Sequence, residues 1–172
     1  QQLAVDPKLQ NKDLSFIRNY AAGGDAISIG AEKTVNDFLA AHNVEYPLAK
    51  GYGMTEASPV IGGNWLGMNQ PDTVGRPLPG MHWRLDPETK EIQVSGPGVM
   101  KGYWKRPEDT AKVFTEDGWL KTGDVGEIND VGLLRIRGRI KEIIVTSTGE
   151  KISPVDLEFA VQEDRLFEQV MI

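Results

Sequence analysis

Apolar positions in "EKTVNDFLAAHN" (32–43) recur at helical spacing, with Val35, Phe38, Leu39 and Ala41 or His42 on one side, predicting an amphipathic helix. The next run, "VEYPLAKGYG" (44–53), is short, has Pro47 near its start and predicts a strand ending among glycines. Residues 62–80, "GGNWLGMNQPDTVGRPLPG", have no period and predict a long irregular connection, a length that in a compact domain usually serves function. Beyond it the pattern turns to β. "MHWRL" and "EIQVSG" flank the turn "DPETK", and "DVGEI" and "LLRIRGR" flank "NDVG", so two hairpins are predicted. Between them "RPEDTAKVF" predicts a short helix with Pro107 at its first position. "IKEIIVTS" (140–147) continues as a β-rich run, and "SPVDLEFAV" (153–161) opens a helix with Ser153 as N-cap, Pro154 at N1 and Asp156 closing a capping box. The fold class expected is α/β, with mixed sheets and β-hairpins flanked by helices.

Composition narrows the function classes. The chain has 172 residues, enough for one ordinary domain with a real core. With 40% hydrophobic and 26% charged residues it reads as globular and soluble. A net charge of −6 argues against nucleic acid as a partner. The absence of Cys excludes disulfides, thiolate metal sites and a Cys nucleophile. No apolar run is long enough to span a bilayer, and the start carries no signal-peptide pattern. Both ends read as cut: the first residue is Gln, and "FEQVMI" (167–172) resembles a strand entering a core, so an internal piece of a longer protein is expected.

Three places carry candidate chemistry. If the second hairpin turns near Asp130 and Val131, antiparallel pairing puts Asp124 opposite about residue 137, with Arg139 just beyond. That pair is either a strand-end salt bridge or a grip on a vicinal diol, in which the carboxylate accepts from the hydroxyls and the guanidinium donates. In "GYGMTE" (51–56), Glu56 offers hard oxygen ligands, Thr55 a hydroxyl for a phosphate and Tyr52 a flat face for a base. Gly51 and Gly53 would let the backbone approach a ligand; a Gly-loosened strand end is the plainer reading. In "AAGGDAISIG" (21–30), Gly23 and Gly24 lie between a strand and a helix, either as a connecting loop or as a ligand contact. GxxxxGK[ST], GxGxxG and HExxH are absent, and the two histidines, His42 and His82, read as helix-surface or strand residues.

Taken in order and spacing, "GYGMTE", "VGRPLPGM", "DGWLKTGD" with its following hairpin, and "GRIKEIIVTSTGEKISPVDLE" resemble the adenylate-forming superfamily of acyl-CoA synthetases, luciferases and adenylation domains. "PGVMKGYWKRPEDTAKVFTEDGWLKTGDVGEI" and "TSTGEKISP" are most similar to the AMP-forming fatty acyl-CoA synthetases. The resemblance implies that residues 1–140 are the C-terminal portion of a large AMP-binding domain and 141–172 the hinge and start of a small one. It implies that Tyr52 packs on adenine, with Gly23 and Gly24 lining the adenine and acyl pocket and Gly53 beside them. Thr55 would contact the phosphates, Glu56 would bind Mg²⁺, and Asp124 would hold the ribose hydroxyls with Arg139 next to it. Lys141 falls at the hinge, and Gly149, Glu150 and Lys151 in the loop that serves the thioester step.

The implied ligands are ATP, Mg²⁺, CoA and a small carboxylic acid, a fatty acid by likeness, in a cytoplasmic enzyme with room for peripheral membrane contact. "ASPVIGGNW" (57–65) could line the acyl tunnel and Trp65 cap it. The pattern departs from the family at Asp25, where relatives carry a small apolar residue. Nothing matches the family's Ser/Thr/Gly-rich phosphate loop or its downstream catalytic Lys, for which Lys151 is no substitute. The isolated chain is therefore expected to lack synthetase activity. The alternatives are an amino-acid or aryl-acid adenylating enzyme that loads a carrier protein, and a truncated homologue that binds without catalysis.

Overall fold

A computed structural model describes residue 6 and residues 8–64, 69–162 and 170–171. The chain first forms a β–α–β unit. Strand β1 (Ala21–Gly23) leads to helix α1 (Ile29–Ala41), which returns to β2 (Ala49–Tyr52), parallel to β1 with Gly23 opposite Gly51. Helix α1 starts earlier than its apolar pattern because the Ser28 hydroxyl accepts from Ala31 N at 3.1 Å, an N-cap that fixes the first turn. Its Leu39 is buried with Val44 and Leu48, and Val35 and Phe38 pack alongside. His42 closes the helix with its ring nitrogens against the carbonyls of Phe38 and Leu9, so it is a structural residue rather than a helix-surface one.

The connection after β2 is more regular than its composition implies. Gly62–Gly63 forms β3, antiparallel to β2, and Arg76–Pro77 forms β4 beside it. A two-glycine strand has no side-chain pattern to read; its main-chain bonding to β2 and β4 decides its conformation. On the helix side of β2, Lys50 meets Glu32 of α1 at 2.5 Å in a buried ion pair, and Asp72 N adds a 3.3 Å bond to the same carboxylate.

A second sheet is an antiparallel meander of β5 (His82–Leu85), β6 (Glu91–Ser95), β7 (Leu120–Ile128) and β8 (Leu134–Arg139). The first hairpin turns on Asp86, whose Oδ1 accepts from the main chain of Glu88 and Thr89. Ile92, Gln93 and Val94 are buried in succession, so β6 is covered on both faces. Ile92, Val94, Leu120 and Leu134 join Tyr52, Ala57, Ile61 and Met81 in one core shared by both sheets. Each such aliphatic side chain contributes roughly 1.5–3 kcal/mol on burial. Helix α2 (Pro107–Val113) has Pro107 in its first turn and buries none of its residues. Along the outer edge of β8, Val74 N donates to Leu134 O at 2.8 Å and Leu134 N to Gly75 O at 2.9 Å. Arg135 pairs there with Asp72 at 2.6 Å.

The chain then forms a small hairpin, β9 (Ile144–Val145) with β10 (Lys151–Ile152), and helix α3 (Pro154–Gln162). Only two residues of "IKEIIVTS" are strand. The amides of Glu142 and Ile143 both donate to Arg139 O, at 3.0 and 3.1 Å, which winds residues 139–143 into a turn despite their β-branched content. Ser153 does not cap α3: its hydroxyl is buried without a hydrogen-bond partner among the described residues. The Asp156 side chain, most of "FEQVMI" and Trp65 lie outside the described residues. No helix among the described residues is long and apolar enough to cross a membrane.

Candidate functional site

Asp124 is positioned by two irregularities, one in β7 and one in β8. Toward β6, Glu91 pairs with Val125 and Gln93 with Lys121, so Thr122, Gly123 and Asp124 together oppose Ile92 alone. This bulge needs Gly123, whose φ is +78°. Its polar groups are satisfied locally. The Thr122 hydroxyl donates to Ile92 O at 2.8 Å and accepts from Asp124 N at 3.1 Å, and Gly123 N donates to Glu91 Oε1 at 3.0 Å. Toward β8, a second shift between Val125 and Gly126 leaves Arg137 extra, and Asp124 faces Arg139 directly. The simple hairpin count put residue 137 there. The turn is one residue longer than counted and the bulge adds another, which moves the partner to 139.

The Asp124 side chain, 14% exposed, is thus held from two sides. Arg139 Nε lies 3.2 Å from Oδ1, and the Tyr52 hydroxyl donates to Oδ2 at 2.7 Å. The guanidinium is 65% exposed, so it stays available to a ligand. The Tyr52 ring is only 7% exposed and packs in the core, offering little face for stacking. Burial, and then the Asp124 carboxylate, push its phenol well above the usual tyrosine range, so it remains a donor. Its visible task is to hold Asp124.

Directly after Tyr52 the chain turns sharply. A Cβ on Gly53 would fall 1.7 Å from Pro59 O, a contact that only glycine avoids. Thr55–Ala57 then forms one 3₁₀ turn that presents the exposed Thr55 and the half-buried Glu56. The Tyr103 hydroxyl donates to Glu56 Oε1 at 2.8 Å, and Met100 N donates to Glu56 O at 2.8 Å. The Glu56 carboxylate holds the Tyr103 phenol above its ordinary range. Glu56 Oε2 has no hydrogen-bond partner among the described residues. One carboxylate with a free oxygen fits Mg²⁺, which takes one or two carboxylates together with substrate phosphates. No group of three or more His, Asp or Glu that could cage a metal occurs among the described residues.

Gly23 and Gly24 lie at the C-terminal end of β1, beside Gly51 of β2, the end at which parallel α/β sheets receive ligands. Asp25 follows them, with Oδ1 accepting from Ala26 N at 2.8 Å. Gly23, Gly24, Tyr52, Gly53, Asp124 and Arg139 are therefore brought to one end of β2, where Thr55 and Glu56 follow. Lys141 is exposed in the turn after β8, and Gly149 and Glu150 form the β9–β10 turn, where Glu150 N donates to the Thr146 hydroxyl at 3.0 Å. The Lys151 side chain lies outside the described residues.

The family model described as "AMP-binding enzyme" matches residues 1–104. The chain belongs to the AMP-binding enzyme family. It is 36% identical to a long-chain-fatty-acid–CoA ligase of Bacillus subtilis (strain 168), over 96% of this chain and 30% of that protein. It is also 36% identical to the chloroplastic long-chain-fatty-acid–[acyl-carrier-protein] ligase AEE15 of Arabidopsis thaliana, over 88% of this chain and 23% of that one. The chain thus spans less than a third of the length of these relatives. Among solved structures, that of ATP-bound MatB from Rhodopseudomonas palustris superimposes with a TM-score of 0.80 at 30% identity, covering 94% of this chain and 33% of that one. The α/β architecture expected from the sequence is that of these adenylate-forming enzymes.

Within this member of the family, sequence reasoning missed Thr122, Gly123, Glu91 and Tyr103. A Thr-Gly pair before an Asp inside a strand pattern was a readable sign of a bulge. Glu91 and Tyr103 act across the fold and left no local sign.

Proposed function

We propose that the complete protein carrying this chain is an AMP-forming acid–thiol ligase of the fatty acyl-CoA synthetase type. In the first half-reaction a carboxylate oxygen of the acid attacks the α-phosphorus of ATP; the new P–O bond forms as the bond to pyrophosphate breaks. In the second, the CoA sulfur attacks the acyl carbon and AMP leaves with the electron pair. The acid is already a nucleophile, so the protein's task is positioning and charge stabilisation.

The observation that carries this reading is Asp124, held by Tyr52 and Arg139 at the end of β2. A fixed acceptor beside an exposed guanidinium suits a ribose diol, and binding energy there orients the distant phosphorus. Gly23, Gly24 and Gly53 leave the backbone open to the nucleoside, Thr55 donates to a phosphate, and Glu56 holds Mg²⁺ through its free oxygen. The cation, when bound, offsets charge on the phosphates. Lys141 is the hinge between a large domain (1–140) and a small one (141–172), and Gly149, Glu150 and Lys151 serve the thioester step. The enzyme is cytoplasmic. The 172-residue chain alone binds nucleotide weakly and forms no thioester.

ATP–pyrophosphate exchange by the complete protein, with acids from acetate to palmitate and a few amino acids, tests this. Exchange that depends on a fatty acid and is lost in Asp124→Ala is expected. Exchange with amino acids alone overturns the fatty acyl reading, and no exchange with any acid overturns adenylation. A carrier-protein thiol in place of CoA is the second reading, supported by the likeness to the Arabidopsis acyl-carrier-protein ligase.

A further inference from the structure

Helix α2 packs sparingly: none of its residues is fully buried, and its hold on the core is through Val113 at its end. A short amphipathic helix normally earns its order from an apolar face. What α2 does instead is clamp the turn before it. The Thr110 hydroxyl accepts from Tyr103 N at 2.9 Å and donates to Arg106 O at 2.8 Å, while Arg106 N donates to Tyr103 O at 3.1 Å. Asp109 adds ion pairs to Arg106 and Lys112, at 2.6 and 3.1 Å. The main chain of Tyr103 is thereby fixed at both its N–H and its C=O, although the residue is 38% exposed.

The fixed tyrosine reaches a single carboxylate, 47 residues earlier in the chain. From the same segment, Met100 N grips the Glu56 carbonyl. Glu56 is therefore held at its main chain and at one side-chain oxygen by residues 100–103, and its other oxygen stays free of protein donors among the described residues. A carboxylate on a one-turn 3₁₀ segment would otherwise sample several rotamers, and freezing such a side chain on binding costs conformational entropy.

We propose that Tyr103, clamped by Thr110, is a positioning residue: its hydroxyl occupies Glu56 Oε1 so that Oε2 is pre-set to take the divalent cation of the cation–nucleotide complex. This rests on the reading of Glu56 as a metal ligand given above. Tyr103 touches neither cation nor nucleotide; it acts through Glu56. Its removal weakens the cation's hold and leaves the nucleoside grip at Asp124 intact.

The test titrates Mn²⁺ in the presence of ATP and without acid, by electron paramagnetic resonance, on the complete protein and its variants. AMP binding without metal is measured in parallel by calorimetry. Tyr103→Phe is expected to raise the Mn²⁺ concentration for half-saturation about fivefold, the size of one ordinary hydrogen bond, with AMP affinity and melting temperature unchanged. Thr110→Val, which frees the turn but keeps the Tyr103 hydroxyl, shifts it in the same direction by less. Unchanged Mn²⁺ binding in Tyr103→Phe, with a clear loss in Glu56→Gln, overturns the role of Tyr103 and keeps that of Glu56. Unchanged binding in Glu56→Gln overturns the metal reading itself. An equal loss of metal-free AMP binding in Tyr103→Phe overturns the proposal in favour of a structural role.

Discussion

The Tyr52 hydroxyl donates to Oδ2 of Asp124, so the end of the parallel pair is bonded to the bulge of the meander, 72 residues away. Tyr52→Phe keeps the ring in its core and removes only the donor. A hydrogen bond to a charged group contributes about 1.5–3 kcal/mol, so denaturant unfolding should show a loss of about 2 kcal/mol. AMP affinity should fall with it, because Asp124 would keep Arg139 alone. Unchanged stability would mean that the phenol adds nothing to a carboxylate already satisfied.

Gly53 is the least replaceable residue of its motif. Gly53→Ala drives a methyl into the Pro59 carbonyl, a clash of backbone against backbone that no rotamer relieves. The expected cost is about 3 kcal/mol or more, read as a fall in melting temperature. Gly51→Ala, where the nearest atom to a Cβ is 3.9 Å away, should be tolerated far better.

The buried pair Lys50–Glu32 gives an asymmetric expectation. Lys50→Met alone leaves the Glu32 carboxylate buried without its cation, and should cost about 3–5 kcal/mol. Lys50→Met combined with Glu32→Leu should recover most of that loss, since apolar replacements of a buried pair are often neutral. A double-mutant cycle on unfolding free energies measures the difference.

Acid stability should carry the mark of Arg84 and Asp117. The guanidinium grips both oxygens of the carboxylate, at 2.6 and 2.8 Å, and sits 4.4 Å from the centre of the Trp119 ring. Hydrogen bonds from Arg84 and then from Thr115 hold the Asp117 carboxyl far below its ordinary range. A depressed value in the folded state means that the contribution is complete above the unfolded value near ~3.9 and is lost as the pH falls through the folded one. Melting temperature followed from about pH 5 down to about pH 2 should therefore fall less steeply in Asp117→Asn than in the unaltered protein. The pair is largely exposed, so high salt should shrink the difference.

Where local chemistry decided the structure, the sequence was readable. Pro107 opens α2 and the two hairpins form where their turn residues fall, because each depends on a few neighbouring side chains. The order of the motifs also gave the family. Errors arose where distant main chain decided. Gly62–Gly63 becomes a strand because β2 and β4 supply partners, and Ile140–Ile143 becomes a turn because two amides converge on Arg139 O. Ser153 looked like a cap by composition, yet its hydroxyl lies where a Cβ on Gly138 would sit 2.9 Å away. At the candidate site, Asp124, Arg139 and Glu56 were legible as chemistry. Their supports were not, because Tyr103 and Glu91 act from more than 30 residues away.

The strip of loop along β8 has a meaning for the chain's solubility. A terminal strand presents a row of unused amides and carbonyls, a template on which another molecule can add a strand. Val74 and Gly75 use those groups at Leu134, and the Arg135–Asp72 pair pins the cover in place. Whatever loosens residues 69–76 therefore uncovers a growth point for aggregates before it disturbs the core. The same short loop, which Asn69 also ties to Leu48 O just ahead of β2, shields that edge.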